Sequence, residues 1–234
     1  MRIRALAHFA AFGLTLVTAT ASAAPIDPHN PSCPQALNWS TYPRMKFTAE
    51  TIEGLKVLRA EGGIDEDVPL RLKDALVSNS PIDEIWIRSP GGDARAGNAA
   101  GKIIRESGVP TRIPAGWACF SACNFMFMGG SIRFVDPSGL FVVHMFTHVG
   151  DKEAVRSELS KGADSAIGLI GDVEQDSAIL ASEDNDFLIR MGVSRKLLTE
   201  VMYQQKAVAS GENKSTRRCL TATEAVKYNV ANAQ

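Results

Sequence analysis

A serine held between two cysteines, Cys119-Phe120-Ser121-Ala122-Cys123, opens an apolar, helix-compatible run that reaches Met128. A serine hydroxyl becomes an effective nucleophile only when a base takes its proton, normally a histidine within about 3 Å. The oxyanion formed on attack needs two N–H donors aimed at it. Ser121 at a helix start answers part of that need, because the next amide, that of Ala122, has no helical acceptor. His144, at the end of a second apolar run, is the candidate base. The Gly91-Gly92 turn is the candidate source of a second N–H, since glycine lets the backbone approach a ligand. Taken singly these features are ordinary: a cap, a structural histidine and a tight turn. The ordered set carries the argument.

The same region admits a different chemistry. Cys119-x3-Cys123 and His144-x3-His148 together approximate a Cys2His2 zinc site, in which Ser121 would be incidental. Oxidised cysteines cannot ligate zinc, so the redox state of this pair separates the two readings.

The elements that must position these residues are legible in the patterning. Glu84–Arg88 predicts a short strand covered on both faces, followed by Ser89-Pro90-Gly91-Gly92-Asp93 and a small-residue helix over 94–106. Strands are expected at 45–48, 55–59, 111–114, 132–135 and 140–143, the last delivering His144. Asp65 is the expected N-cap of a helix carrying Val68, Leu72, Ala75 and Leu76 on one face. The focal pentapeptide is expected to start a helix to Met128. Beyond His144 a long helical region is broken up by Gly162, Gly168 and Gly171, and a second helix covers 194–204. Thr221 and Glu224 have capping-box spacing for a closing helix to Tyr228. Repeated strand-helix-strand units favour right-handed crossovers and an α/β fold with a mostly parallel sheet.

Arg2 and Arg4 precede an apolar stretch and Ala21-Ser22-Ala23, the pattern of a signal peptide over residues 1–23. A proline-rich arm follows over 24–43, and residues 44–234 form the α/β domain. Losing the two arginines moves the formal charge from -1 to -3. That leaves no basic stripe for phosphates, so nucleic acid is not an expected partner. The four cysteines, Cys33, Cys119, Cys123 and Cys219, would reach an oxidising compartment, periplasmic or extracellular, where they are expected to pair. Three complete pairings exist. The preferred expectation has Cys119 and Cys123 each reaching a distant partner, one to Cys33 and one to Cys219.

Ser-Pro-Gly-Gly after a strand, Ser121 29 residues past the second glycine, His144 23 residues further, and Leu-Thr-x-x-Glu-Ala-x-x-Tyr at the close resemble the Clp peptidase family. More closely, the chain resembles exported relatives whose serine lies in a Cys-x-Ser-Ala-Cys element. The resemblance implies the ClpP/crotonase-type fold of stacked strand-helix turns. It implies Ser121 as nucleophile, His144 as general base, and the N–H groups of Gly92 and Ala122 as the oxyanion hole. The implied reaction is peptide-bond hydrolysis through an acyl-enzyme, with a peptide or protein substrate, no cofactor and no metal. An ATPase partner is not expected outside the cytoplasm, and the family's rings make a homo-oligomer plausible. The chain departs from the family at the third triad member, where Arg217 occupies the place of an aspartate. Glu212, Asn213 and Asp151 remain as acids or amides available to orient His144, and a weak or inactive binding module is the alternative. Lys56, Lys73 and Lys102 would be the bases of a serine–lysine dyad, but none falls in a matching motif.

Overall fold

The computed structural model describes residues 24–147, 152–212 and 214–233. The expected signal peptide, Asp151, Asn213 and His148 lie outside the described residues.

Two sheets organise the chain. The first has the order β1-β2-β3-β4-β6, from β1 (Lys46–Ile52), β2 (Leu55–Glu61), β3 (Glu84–Arg88), β4 (Thr111–Ile113) and β6 (Arg133–Val135). The second has the order β5-β7-β8, from β5 (Ala118–Phe120), β7 (Leu140–His144) and β8 (Arg217–Cys219). Four pairings are parallel, and only the β1–β2 hairpin and β7–β8 are antiparallel. Parallel neighbours require crossovers. Those on the first sheet are supplied by α1 (Val68–Ser78), α2 (Ala94–Ser107) and α3 (Cys123–Met128). The expected α/β class and mostly parallel sheet are what the chain forms.

Apolar side chains of these strands and helices meet in a main core, in which Leu58, Ile85, Ile87, Ile104, Phe127 and Phe141 are fully or almost fully enclosed, and Cys33, Val142 and Cys219 form a small second cluster. Burying such side chains stabilises the fold by roughly 1.5–3 kcal/mol each. The helix expected from Asp65 begins later. Asp67 is its N-cap without a side-chain bond, because Asp65 instead accepts from the Asp67 amide and pairs with Arg44 and Arg71. The helix after the glycine turn is capped as its sequence dictates, Asp93 Oδ1 accepting from the Ala96 amide at 2.6 Å.

Past β7 the chain forms α4 (Lys152–Ser160) and the 29-residue α5 (Ala163–Met191). Gly162 separates them, whereas Gly168 and Gly171 sit inside α5 without interrupting it. The apolar segment expected as a regular helix over 194–204 is a wide π turn, Leu197–Val201, followed by a 3-10 turn, Met202–Gln204. The closing helix α6 (Ala222–Lys227) carries the expected capping box, with Glu224 N donating to Thr221 Oγ1 and Thr221 N donating to Glu224 Oε2. No helix among the described residues is long and apolar enough to cross a membrane.

The expected disulfide pairing is overturned. Cys33 joins Cys219, and Cys119 joins Cys123. The local pair forms because Cys119 does not belong to a helix: it lies in a strand, and the turn at Ser121 folds Cys123 back to a Cα–Cα distance of 5.4 Å, inside the range a disulfide spans.

Candidate active site

The pentapeptide is divided between three local structures. Cys119 and Phe120 finish β5, Ser121 and Ala122 make a turn, and Cys123 begins α3. Ser121 has φ +60°, the left-handed region that a side chain enters at a cost. Two interactions hold the turn. The Cys119–Cys123 bond closes it, and the segment after β3 runs beside it, with Phe120 N donating to Ser89 O and Ser89 N donating to Ala118 O.

Packing between the two turns explains the glycine pair. Gly91 has φ +86°, and a Cβ there would lie 2.6 Å from both Phe120 O and Ser121 Cβ. At Gly92, φ is +146°, and a Cβ would meet Ile64 O at 2.1 Å. The Gly91 amide is already committed, donating to Ser89 Oγ at 3.0 Å. Ile64 bonds the flanking groups, its amide donating to Gly91 O and its carbonyl accepting from Asp93 N. Among the described residues, the N–H groups of Gly92 and Ala122 donate to no protein acceptor. Both amides are therefore unclaimed by protein acceptors, as a donor to an oxyanion must be.

The last residue of β7 reaches the same place. His144 Nε2 lies 2.7 Å from Ser121 Oγ, a distance suited to proton transfer. Burial pushes the imidazole pKa down, and a hydrogen bond with the Met145 main chain opposes that shift. The neutral, proton-accepting ring is therefore favoured. Its face is covered by Phe120, with ring centroids 4.7 Å apart, and Trp39 from the N-terminal arm stacks on Phe120 in turn at 5.6 Å.

Among the described residues, no carboxylate contributes to the state of His144. Glu212 is exposed, and Asp151 and Asn213 are outside the described residues. Arg217 stands directly opposite His144 in the β7–β8 register. Its guanidinium is occupied by Asp27 of the arm at 2.7 Å, and Asn30 Oδ1 accepts from the Thr216 and Arg217 amides at 3.0 Å each. Hydrogen bonds from Asn30 and the His29 amide, with Arg217 adding, hold the Asp27 carboxyl down to about 2. The arm is thereby latched to the strand that, in the expected pattern, carries the acid.

Three of the four expected residues, Ser121, Ala122 and His144, line one cavity, and the fourth, Gly92, follows Gly91, which packs against Ser121. The zinc reading does not survive, because the Cys119–Cys123 bond consumes both of its sulfur ligands. None of Lys56, Lys73 and Lys102 lines the cavity beside Ser121. That cavity, about 30 Å³, is bounded by Ser121, Ala122 and His144 and by two polar residues absent from the sequence reading, Asn124 and Asp184. Asn124 had a visible signal, being the one polar residue in an apolar helix, Cys-Asn-Phe-Met-Phe-Met. Asp184 had none, since it sits among Glu183, Asn185 and Asp186 on a helix that reads as solvated there.

Comparison with solved structures bears on the fold. A point mutant of ClpP1 from Listeria monocytogenes superposes with a TM-score of 0.51 at 16% identity, over 75% of this chain and 88% of that one. The chain has a ClpP-type fold. ClpP1 from the same organism, without that mutation, gives a TM-score of 0.49, again at 16% identity and the same coverage. No family model matches the sequence, and no curated protein matches it either. At this identity the ClpP likeness speaks to the fold, and the chemistry must be argued from this chain's residues.

Proposed function

We propose that the protein is an exported serine hydrolase of Clp peptidase type, cleaving peptide bonds through an acyl-enzyme without ATP. The observation that carries this reading is the 2.7 Å contact between His144 Nε2 and Ser121 Oγ. In the proposed cycle His144 Nε2 takes the proton from Ser121 Oγ as the oxygen bonds to the scissile carbonyl carbon. The carbonyl oxygen becomes an oxyanion received by the Gly92 and Ala122 amides. Protonated His144 gives its proton to the leaving amine as the C–N bond breaks. Water, deprotonated by His144, then releases the acid from Ser121. In place of an acid, the Phe120 ring and the Met145 main chain orient the imidazole.

Arg217 in the acid's place favours a second reading, a weakly active or inactive binding module on the same fold. Losing the acid costs about 10⁴ in rate in the serine-protease template. A fluorophosphonate probe separates the two. Labelling of the wild type that disappears in Ser121→Ala and falls steeply in His144→Ala supports the hydrolase, and a folded wild type that stays unlabelled supports the binding module.

Two disulfides suit an oxidising compartment, which supports export. Exposed Leu159, Ile167, Ile170 and Ile179 along α4 and α5 support self-association as part of the proposal. Sedimentation of the oxidised protein tests it.

A further inference from the structure

We propose that the proline-rich arm is a working part of the active site, with Phe120 and, behind it, Trp39 as positioning residues: their rings hold the imidazole of His144 against Ser121 and favour its protonated form. The inference deepens the serine-hydrolase reading and rests on it for its effect on rate, while the state of the imidazole is readable without turnover.

Strand pairing brings the rings together. Phe120 lies opposite Val142 in the parallel β5–β7 register, and on the other side of β7 Cys219 lies opposite Val142 and Arg217 opposite His144. Residues two apart on a strand share a face, so Phe120, Val142, His144, Cys219 and Arg217 belong to one face of the second sheet. The arm covers that face. Cys33 is bonded to Cys219, Leu37 and Phe120 pack against the cluster of Cys33, Val142 and Cys219, and Asp27 holds Arg217 at 2.7 Å. Trp39 is placed by its neighbour, since Asn38 O accepts from Ala118 N at 3.0 Å and Asn38 Oδ1 accepts from Arg88 Nη1 at 3.3 Å. The result is a file of three rings. Trp39 stacks on Phe120 at 5.6 Å with 26° between the planes, and Phe120 lies on His144 at 4.7 Å with 36°.

Such a stack does more than fill space. The face of an aromatic ring is electronegative, and a cation within about 6 Å of its centre is attracted. The imidazole is neutral before Ser121 gives up its proton and cationic afterwards, so Phe120 favours the state that forms during attack. An attraction of this kind is worth about 3- to 30-fold. That is short of the about 10⁴ that an acid supplies, but it has the same sign. Trp39, stacked on Phe120, limits how far that ring can turn away from His144. The charged groups around the imidazole do not duplicate the effect. Arg217, across the strand pair, is cationic and engaged by Asp27, and Asp184 lines the same cavity as His144. Among the described residues, neither bonds to the imidazole.

The test is an NMR titration of His144 in the oxidised protein, assigned with His144→Gln, beside the rate of labelling by an alkyl fluorophosphonate. Phe120→Leu keeps an apolar side chain and removes the ring. The expected result is a His144 midpoint lower by about 0.5–1.5 pH units, labelling at pH 8 slower by about 3- to 30-fold, and both restored in Phe120→Tyr. Trp39→Leu should move both in the same direction by less, and Trp39→Phe should restore them. If Phe120→Leu does not fold, the Trp39 pair decides by the same criterion. A ring that merely shields the imidazole from water would hold its pKa down, and its loss would raise the midpoint. An unchanged or higher midpoint in Phe120→Leu therefore overturns the inference, and a lower midpoint with unchanged labelling overturns the positioning role. A wild type that stays unlabelled overturns the hydrolase reading instead, and the midpoints then decide the stack alone.

Discussion

Replacing Asp184 with asparagine should make the protein more stable at neutral and alkaline pH, and the size of the effect follows from where the carboxyl sits. Burial raises it to about 7 from 3.8 in the unfolded chain. Below pH 3.8 both states hold the proton, and ionisation contributes nothing. Between about 4 and 7 the folded state binds more protons than the unfolded one, so stability falls as pH rises. Above 7 the full penalty applies. A rise of about three pH units corresponds to about 4 kcal/mol at ~1.4 kcal/mol per unit. Water reaching the carboxylate through the cavity reduces this, and about 1–4 kcal/mol is the expected gain for Asp184→Asn, which keeps the shape and cannot ionise. Urea unfolding of oxidised wild type and variant from pH 4 to 8.5 measures it. The two curves should meet near pH 4 and diverge through pH 7, with the variant above. Parallel curves, or a weaker variant at pH 8, would refute the reasoning, because they would mean that the folded protein already supplies Asp184 with a cation.

The two disulfides should fail in different ways. Cys33–Cys219 spans 186 residues and Cys119–Cys123 only 4, so loop-closure entropy assigns them about 5 and about 2 kcal/mol respectively. Cys33→Ser with Cys219→Ser should lower the urea midpoint more, whereas Cys119→Ser with Cys123→Ser should slow fluorophosphonate labelling of Ser121 more, the turn having lost its clasp. Gly91→Ala should cost about 1–3 kcal/mol through a strained φ and crowding against Phe120 and Ser121. Labelling at least tenfold slower with an unchanged far-UV spectrum is the expected outcome, and an unchanged rate would show that the two turns are not in contact in solution.

Much of the scaffold was open to reading because its signals are local. Ile85-Trp86-Ile87 within Glu84–Arg88 leaves no room for alternation and reads as a covered strand, Asp93 is a cap before a small-residue helix, and Thr221 with Glu224 satisfies two orphan amides within one turn. Errors gathered where local preference met a non-local requirement. Asp65 offers a good cap, yet Arg44 and Arg71 claim it. Leu197–Val201 has helical spacing, but packing of Leu197, Leu198 and Val201 into the core widens the turn. Cys119 looked like the first turn of a helix, and pairing of β5 with β7 made it strand instead.

The sequence alone determined the α/β class and the mostly parallel sheet, because strand and helix periods are local, and it marked Gly92, Ser121, Ala122 and His144 as candidates only through their ordered spacing and the family resemblance. Tertiary structure decided what those marks amount to. It brought His144 within 2.7 Å of Ser121, chose the disulfide partners, and set Arg217 against Asp27 where an acid was expected. It also carried Asp184 from a polar helix into the cavity beside the nucleophile. Most of these contacts join residues tens to nearly two hundred positions apart, and a side chain's charge state and reach depend on what surrounds it, which periodicity along a chain does not record.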